Sequence, residues 1–222
     1  MMKKTIVLFD LDGTLIDSTP AILASFRFAC GEQGFALPQD KVITQFIGHT
    51  LEDMFLGIGV QKERLWDFIE SYRKFYRANM EQGTKLLKQA REAIDLAFNF
   101  AHLGVVTTKR ADFSTKLLES FGVLHYFSVV IGIENVRNPK PSSEPILKAL
   151  DSLYESKGQI PKQDCFMIGD TELDLQAAMN AGINGIGVLC GYGSEQSLQR
   201  FCMPIHHNTY LAVQALKSHL KA

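Results

Sequence analysis

The stretch that decides the fold is TIVLFDLDGTLIDS, residues 5–18. Its first five residues are β-formers without polar alternation, the pattern of a strand buried on both faces of a parallel sheet. Asp10 and Asp12 follow at the carboxyl end of that strand, where open α/β sheets bind ligands, and Gly13 allows a sharp turn. Carboxylates held so close are costly without a compensating cation, so the stretch predicts a site for a hard divalent ion such as Mg²⁺. An acidic turn that caps a helix is the alternative.

Four later runs have the same apolar character and predict further strands. They are residues 104–108 (GVVTT), 127–131 (FSVVI), 165–169 (CFMIG) and 185–189 (GIGVL). Helix-like stretches lie between them, at 112–121, 144–154 and 173–179. Strands that alternate with helices predict an α/β fold, a doubly wound parallel sheet with helices on both of its faces.

The interval between the first two strands is too long for a simple crossover. It is mostly helical in pattern, with candidate helices at 20–30 and 65–80. The second of these carries an apolar stripe, interpreted as the core of a helix bundle: Trp66, Ile69, Tyr72, Phe75 and Tyr76. We therefore predict a small α-helical domain, residues 17–85, inserted into an α/β core made of residues 1–16 and 86–222.

Three further polar groupings lie at or beyond the ends of predicted strands. They are Thr107-Thr108-Lys109, Asn138-Pro139-Lys140-Pro141, and Gly169-Asp170 with Asp174 four residues later. Hydroxyls and free backbone N–H groups can hold phosphate oxygens, and a lysine near aspartates can balance their charge. Taken one at a time, Thr107 would be an ordinary strand threonine, Lys140 a solvated surface lysine and Asp170 a helix cap. Four such groups in order at strand ends indicate one functional site.

Together these motifs resemble those of the haloacid dehalogenase-like superfamily. Asp10-Leu11-Asp12-Gly13-Thr14 matches the first motif, Thr107 the second, Lys140 the third, and Gly169-Asp170-x-x-x-Asp174 the fourth. Residues 187–193 (GVLCGYG) are similar to the phosphoglycolate phosphatase-like branch. The resemblance implies a Rossmann-like core with a helical cap inserted after the first motif, and a cap that closes over the site.

The resemblance also implies a role for each motif residue. Asp10 would be the nucleophile that forms an aspartyl-phosphate, and Asp12 would protonate the leaving oxygen and then activate water. Mg²⁺ would be held by Asp10, the Asp12 backbone carbonyl and Asp170, while Asp174 supports the metal and orients Lys140. The residues implied to bind substrate are Gly13, Thr107, Thr108, Lys140 and, in the cap segment 45–51, His49.

The activity implied is that of a Mg²⁺-dependent phosphatase acting on small phosphorylated metabolites, with phosphoglycolate as the first substrate to try. The alternatives are a phosphomutase of the β-phosphoglucomutase type, a pyrophosphatase or nucleotidase, and a non-catalytic binding protein. Asp12 argues against the family's dehalogenases, which lack an acid there because halide needs no proton. Two departures from the family's pattern leave the identity of the substrate undetermined. Residues 85–89 stand where relatives often have a Pro-Gly turn, and Thr108 stands where they often have Asn.

Composition sets the remaining expectations. The chain is 46% hydrophobic and 21% charged with net charge −1, so it has no basic surplus for a nucleic-acid backbone. The apolar run after Lys3 and Lys4 is too short for a signal peptide, and no run approaches the ~20 residues of a membrane span. The four cysteines form no Cys-x-x-Cys pair and suggest small buried side chains in a reducing cytosol. We expect a cytoplasmic monomer or homodimer whose partner is a small phosphorylated metabolite, with no nucleic acid or membrane.

Overall fold

Six strands form one parallel sheet in the computed structural model, which describes residues 3–220. The strands within that range are β1 (Thr5–Phe9), β2 (Ile16–Asp17), β3 (Lys85–Leu86), β4 (Ala101–Val106), β5 (Phe127–Ile131), β6 (Cys165–Gly169), β7 (Asn184–Val188) and β8 (Ile205–His206). The α-helices are α1 (Thr19–Glu32), α2 (Asp40–Thr44), α3 (Leu51–Gly57), α4 (Leu65–Asn79), α5 (Ala90–Phe98), α6 (Ala111–Ser120), α7 (Glu144–Lys157), α8 (Glu172–Ala181), α9 (Glu195–Gln199) and α10 (Thr209–His219).

The strand order of the main sheet is β5-β4-β1-β6-β7-β8, with every neighbouring pair parallel. Alternate residues of β1 pack into two different hydrophobic clusters. Ile6 and Leu8 join the cluster that holds the apolar faces of α7 and α8. Val7 and Phe9 join the cluster that holds those of α5 and α10. Helices thus cover both faces, and the predicted doubly wound α/β fold is confirmed.

The connection order creates a crevice beside β1. The chain leaves β1 for β4 on one side and returns to β6 on the other, so β1 lies where the direction of winding reverses. Ligands of open α/β sheets bind outside the carboxyl ends of the strands at such a switch point. Because β1 and β6 are in register, with Phe9 opposite Ile168, the residues that follow the two strands are neighbours.

Helices α1 to α4 lie between the short antiparallel strands β2 and β3. Leu86 pairs with Ile16 there, and the Lys85 Nζ lies 3.5 Å from the Asp17 Oδ2, so both ends of the helical segment leave the core together. Aromatic side chains fill the space between the helices. The Phe26 ring lies 4.5 Å from that of Phe55, measured between centroids.

The predicted apolar stripe on α4 is wrong in one member. Trp66 is 62% exposed, whereas Ile69, Tyr72 and Tyr76 are buried. At about 100° per residue, Ile69, Tyr72 and Tyr76 fall within roughly 60° of one another around the helix axis, whereas Trp66 lies roughly 90° from the centre of that face. Phe75 is partly buried and stacks on Phe28 at the edge of the helix pair.

Three more sequence expectations need correction. The strand predicted at 104–108 is observed at Ala101–Val106, and the one predicted at 185–189 is observed at Asn184–Val188. Cys202 is exposed, so burial holds for Cys30 and Cys165 but not for every cysteine. Among the described residues, every helix is too short or too polar to cross a bilayer.

Candidate active site

Three carboxylates meet at the carboxyl edge of the sheet. The Asp10 backbone N–H donates to the Ile168 carbonyl at 2.9 Å, which brings the end of β1 against the end of β6. One carboxylate oxygen from each of Asp10, Asp170 and Asp174 lies within 4.8 Å of the other two. All three side chains are buried, Asp170 and Asp174 completely. The structure therefore brings together three acids that the chain separates by up to 164 positions.

Lys140 lies between two of these acids. Its Nζ donates to the Asp10 Oδ1 at 2.7 Å, to the Asp174 Oδ1 at 2.5 Å and to the Val106 carbonyl at 3.0 Å. Lys140 is 5% exposed, and all three of its ammonium donors are used by these contacts. The amine is thus fixed in one position, against the carboxylate that ends β1.

Asp174 lies in the first turn of helix α8 and is oriented from both sides. Its Oδ2 accepts the Thr171 backbone N–H at 3.0 Å and the Thr171 hydroxyl at 2.7 Å, while its Oδ1 faces Lys140. A carboxylate near the start of a helix is favoured by the helix dipole. The sequence alone suggested Asp170 as a helix cap, but the structure has the cap at Thr171, and Asp174 completes the capping box while it also belongs to the charge cluster.

Asp170 sits in a cradle of small residues. The Thr14 hydroxyl donates to its Oδ1 at 2.8 Å, and the Tyr192 backbone N–H donates to its Oδ2 at 2.8 Å. Gly13 has a φ of +86° and passes so near that a Cβ there would lie 2.4 Å from the Asp170 Oδ2. A Cβ on Gly191 would lie 2.0 Å from the same oxygen. The glycines of the first motif and of residues 187–193 therefore leave room for one carboxylate.

Burial and neighbouring negative charge favour the protonated forms of Asp10 and Asp170. Burial raises the pKa of Asp10 to about 7; Lys140 opposes the shift, whereas Asp174 and Asp12 add to it. Burial, followed by the charges of Asp10 and Asp174, raises the pKa of Asp170 well above its usual range. Lys140 keeps its proton because those carboxylates raise its pKa against the opposing effect of burial.

The donor set fits a hard divalent cation. Three converging carboxylates offer oxygen ligands, and a single ammonium group leaves their negative charge in excess. The residues placed to hold the ion are Asp10 and Asp170, with Asp174 adjoining them. Asp12 is absent from this group of side chains, which leaves its predicted backbone contact with the metal as a prediction.

We expect Gly191→Ala to weaken Mg²⁺ binding by roughly 10- to 100-fold, the usual effect of disturbing what orients a metal ligand. The added Cβ overlaps the Asp170 Oδ2 and must displace that carboxylate. Isothermal titration calorimetry with MgCl₂ measures the change. Gly31→Ala is the matched control, because a Cβ there meets nothing within 4 Å. Equal affinities in the two variants would contradict a role for the cradle.

Asp12 has its own set of partners, separate from the three-acid cluster. The Ser18 hydroxyl donates to its Oδ1, and the Lys109 Nζ lies 3.2 Å from its Oδ2. Asp12 is 6% exposed, and Ser18 is fully buried. Ser18 and Lys109 were not among the predicted site residues. The available signal was their position, since each is the last residue of a polar stretch that follows a predicted strand.

Lys109 is a charged side chain inside the structure. Burial alone would lower the pKa of Lys109, but the Asp12 carboxylate, with smaller effects of Tyr76 and Tyr72, raises it well above its usual value. The ammonium also lies 4.7 Å from the centre of the Tyr76 ring. A cation over an aromatic face gains electrostatic attraction that partly replaces the lost water.

Thr107 and Thr108, two of the predicted substrate-binding residues, lie in the loop after β4. Thr107 is buried, and its hydroxyl accepts the Lys109 backbone N–H at 3.1 Å. The Thr108 hydroxyl donates to the Gly48 carbonyl at 2.9 Å and so contacts the helical segment. His49 is exposed and lines a cavity of about 70 Å³ together with Asp12 and residues of both parts of the chain. The structure thus brings His49 to the rim of the site without a polar contact to the acids.

Comparison with known proteins gives one family and several enzyme names. Residues 7–188 match the family model described as haloacid dehalogenase-like hydrolase. The chain is 31% identical to a pyrophosphatase of Bacillus velezensis, over 90% of this chain and 89% of that protein. It is 31% identical to a 5′-nucleotidase of Pseudomonas aeruginosa, covering 96% of each. It is 29% identical to a phosphoglycolate phosphatase of Yersinia pseudotuberculosis, covering 86% and 84%.

Solved structures agree with the sequence comparison. A haloacid dehalogenase-like hydrolase from Streptococcus pneumoniae superposes with a TM-score of 0.84 at 27% identity, and the match covers 96% of this chain and 97% of that one. The shared fold therefore extends over the helical segment as well as the sheet. The three enzyme names differ in substrate but agree on cleavage of a bond to phosphorus.

Proposed function

The chain belongs to the haloacid dehalogenase-like hydrolase family, and from that premise we propose that it is a Mg²⁺-dependent phosphatase of small phosphorylated metabolites that works through an aspartyl-phosphate on Asp10. The observation that carries the proposal is the buried group of Asp10, Asp170, Asp174 and Lys140 at the switch point of the sheet. Such a group has a high cost in stability and an evident use, the positioning of a phosphoryl group.

In the proposed first step, a carboxylate oxygen of Asp10 attacks phosphorus while the bond from phosphorus to the leaving oxygen breaks. Asp12 gives its proton to that oxygen. In the second step Asp12 takes a proton from water, the water oxygen attacks phosphorus, and the bond to Asp10 breaks to return the free carboxylate. A bound divalent cation would supply Lewis-acid stabilisation of charge on the phosphoryl oxygens.

The remaining predicted residues hold the phosphoryl group in this scheme. Lys140 is fixed 2.7 Å from the Asp10 carboxylate, near enough to offset charge on a transferring phosphoryl group. Thr107 follows β4 beside it, and the Thr108 backbone N–H would face the phosphate. The Gly13 N–H instead donates to the Ile16 carbonyl at 2.8 Å, so the predicted contact of Gly13 with substrate is not made through this group. His49 stays a candidate contact for the part of the substrate that leaves.

We also propose that residues 17–85 form the cap and that the cap restricts the substrate. Two contacts support this: the Thr108 hydroxyl donates to the Gly48 carbonyl, and Gly48 packs on Thr171. Both core residues lie beside the acid cluster, so cap and core meet over the site. The cavity there, about 70 Å³, favours a small leaving group. A cytoplasmic location and a monomeric or homodimeric state stay predictions.

A turnover screen tests the proposed function. Purified protein with MgCl₂ is expected to release inorganic phosphate from p-nitrophenyl phosphate and from at least one of phosphoglycolate, pyrophosphate or a nucleoside monophosphate. Chelation with EDTA should remove the activity and added Mg²⁺ should restore it. A broad screen without phosphate release, or release unaffected by EDTA, would contradict the proposal and favour a non-catalytic or metal-independent protein.

The phosphomutase is the second candidate, because the same residues can return phosphate to a sugar instead of water. Incubation with sugar phosphates separates the two activities by product. Interconversion of sugar phosphate isomers without net phosphate release would favour the mutase, whereas phosphate release without isomers supports the phosphatase.

A further inference from the structure

Every acid proposed to act on phosphate has a buried lysine partner, and the two lysines serve different acids. Lys140 contacts Asp10 and Asp174. Lys109 contacts Asp12, and Asp12 does not belong to the three-acid cluster. The two charge pairs thus divide the site into a group around the nucleophile and a group around the proposed acid and base.

The Asp12 carboxylate is held at both oxygens. The Ser18 hydroxyl donates to Oδ1, and the Lys109 ammonium lies 3.2 Å from Oδ2. Both partners are almost inaccessible to solvent, since the Lys109 side chain is 9% exposed and Ser18 is fully buried. Contacts at two different oxygens fix the rotation of a carboxyl plane, which a single contact would leave free.

Lys109 is itself fixed by elements from both parts of the chain. Its backbone N–H donates to the Thr107 hydroxyl at 3.1 Å, at the end of β4 in the core. Its ammonium lies over the ring of Tyr76, which belongs to α4 in the helical segment. Lys109 thus connects the phosphate-binding loop and the cap to Asp12.

We propose that Lys109 is a positioning residue, which aligns the Asp12 carboxyl group for proton transfer to and from the leaving oxygen. The inference rests on the proposed function, because it assigns Asp12 the acid and base role. Lys109 acts through Asp12 and makes no contact of its own with the substrate. Its removal should therefore affect only the steps in which Asp12 moves a proton.

A double-mutant cycle with two substrates tests the proposal. The proteins are the wild type, Lys109→Met, Asp12→Asn and the double variant, all in full-length form. Methionine keeps the length of the lysine stem without its charge. Values of kcat/KM are measured for an alkyl phosphate, whose leaving oxygen needs a proton, and for p-nitrophenyl phosphate, whose stable phenolate needs it far less.

For the alkyl phosphate we expect Asp12→Asn to lower kcat/KM by about 10²- to 10⁴-fold, as for loss of a general acid. Lys109→Met should lower it by roughly 10- to 100-fold, the usual effect of losing an orienting partner. The double variant should match Asp12→Asn within about twofold, because Lys109 has nothing left to position. For p-nitrophenyl phosphate both single losses should be much smaller.

Each contrary outcome identifies what failed. If Lys109→Met raises KM further in the Asp12→Asn background, Lys109 binds substrate directly and the inference is wrong. The same holds if it lowers kcat/KM equally for both substrates. If Asp12→Asn affects both substrates equally, the acid role of Asp12 in the proposed function has failed instead.

Folding is controlled within the same set of proteins. Lys109→Met leaves a buried carboxylate unpaired, whereas the double variant removes both charges. We expect the thermal midpoint to fall in Lys109→Met and to recover in the double variant. Lys109→Arg, which keeps the charge, should recover part of the selectivity for the alkyl phosphate. Absence of that recovery in a folded Lys109→Arg protein would count against positioning by charge.

Discussion

Replacement of Asp10 by asparagine is expected to lower kcat for p-nitrophenyl phosphate by about four orders of magnitude or more, the scale of losing an essential nucleophile. Asparagine keeps the shape of the side chain but has no anionic oxygen to attack phosphorus. Lys140 also loses one of its two carboxylate partners, although the Asp174 contact at 2.5 Å remains. Initial rates of p-nitrophenol release with saturating Mg²⁺ measure the effect.

Two controls test whether the loss of activity in Asp10→Asn comes from removal of the nucleophile. Asp151→Asn changes an exposed acid on α7 and should keep the wild-type rate. Acid-quenched turnover of the wild type should leave phosphate on the peptide that contains Asp10, and this label should be absent in Asp10→Asn. Activity near the wild-type level in a folded Asp10→Asn protein would remove Asp10 from the mechanism.

The sheet could be read from the sequence because its strands are continuous apolar runs. β1, β5 and β6 have the bounds that the sequence predicts, each bounded by polar or glycine residues. The meeting of Asp10 and Asp170 also requires β1 and β6 to be neighbours, which the sequence alone does not show and which the pairing of Phe9 with Ile168 establishes. Order along the chain and burial were enough for the strand bounds.

The ends of β4 were harder to predict. Threonine is a good β-former, so Thr107 and Thr108 were included in the predicted strand. In the structure the strand ends at Val106, and both threonines belong to the loop that follows. Thr107 contacts Lys109, and Thr108 contacts Gly48. At its other end the strand begins with Ala101 and His102, where the polar histidine interrupts the apolar run that marked the strand.

The partners of Asp12 could not be predicted, because they depend on side-chain direction. The sequence shows that Lys109 follows a strand, but it does not show that the chain turns back toward Asp12. That direction depends on Tyr76, which is 33 residues away in the helical segment. Contacts between the inserted segment and the core leave no periodic signal in the sequence, so no role for Lys109 could be predicted from it.

The second large effect is expected from Lys140→Met. It removes the ammonium group between Asp10 and Asp174, both of which are buried. Breaking a buried pair by removing one partner lowers the free energy of unfolding by about 3–5 kcal/mol. It also removes a charge aimed at the transferring group, which lowers kcat by about 10²- to 10³-fold. Urea titration and initial rates measure the two losses.

Lys116→Met is the matched control, because Lys116 forms an ion pair at the surface. Its Nζ lies 3.0 Å from the Glu81 Oε1, and the Lys116 side chain is 54% exposed. A pair of this kind contributes about 0–1 kcal/mol, so both stability and rate should stay near the wild type.

Mg²⁺ should raise the thermal midpoint of Lys140→Met more than that of the wild type, because the three acids of the Lys140→Met variant face each other without an amine. Equal stability of the two lysine variants would show that the buried charges are not coupled as their distances indicate.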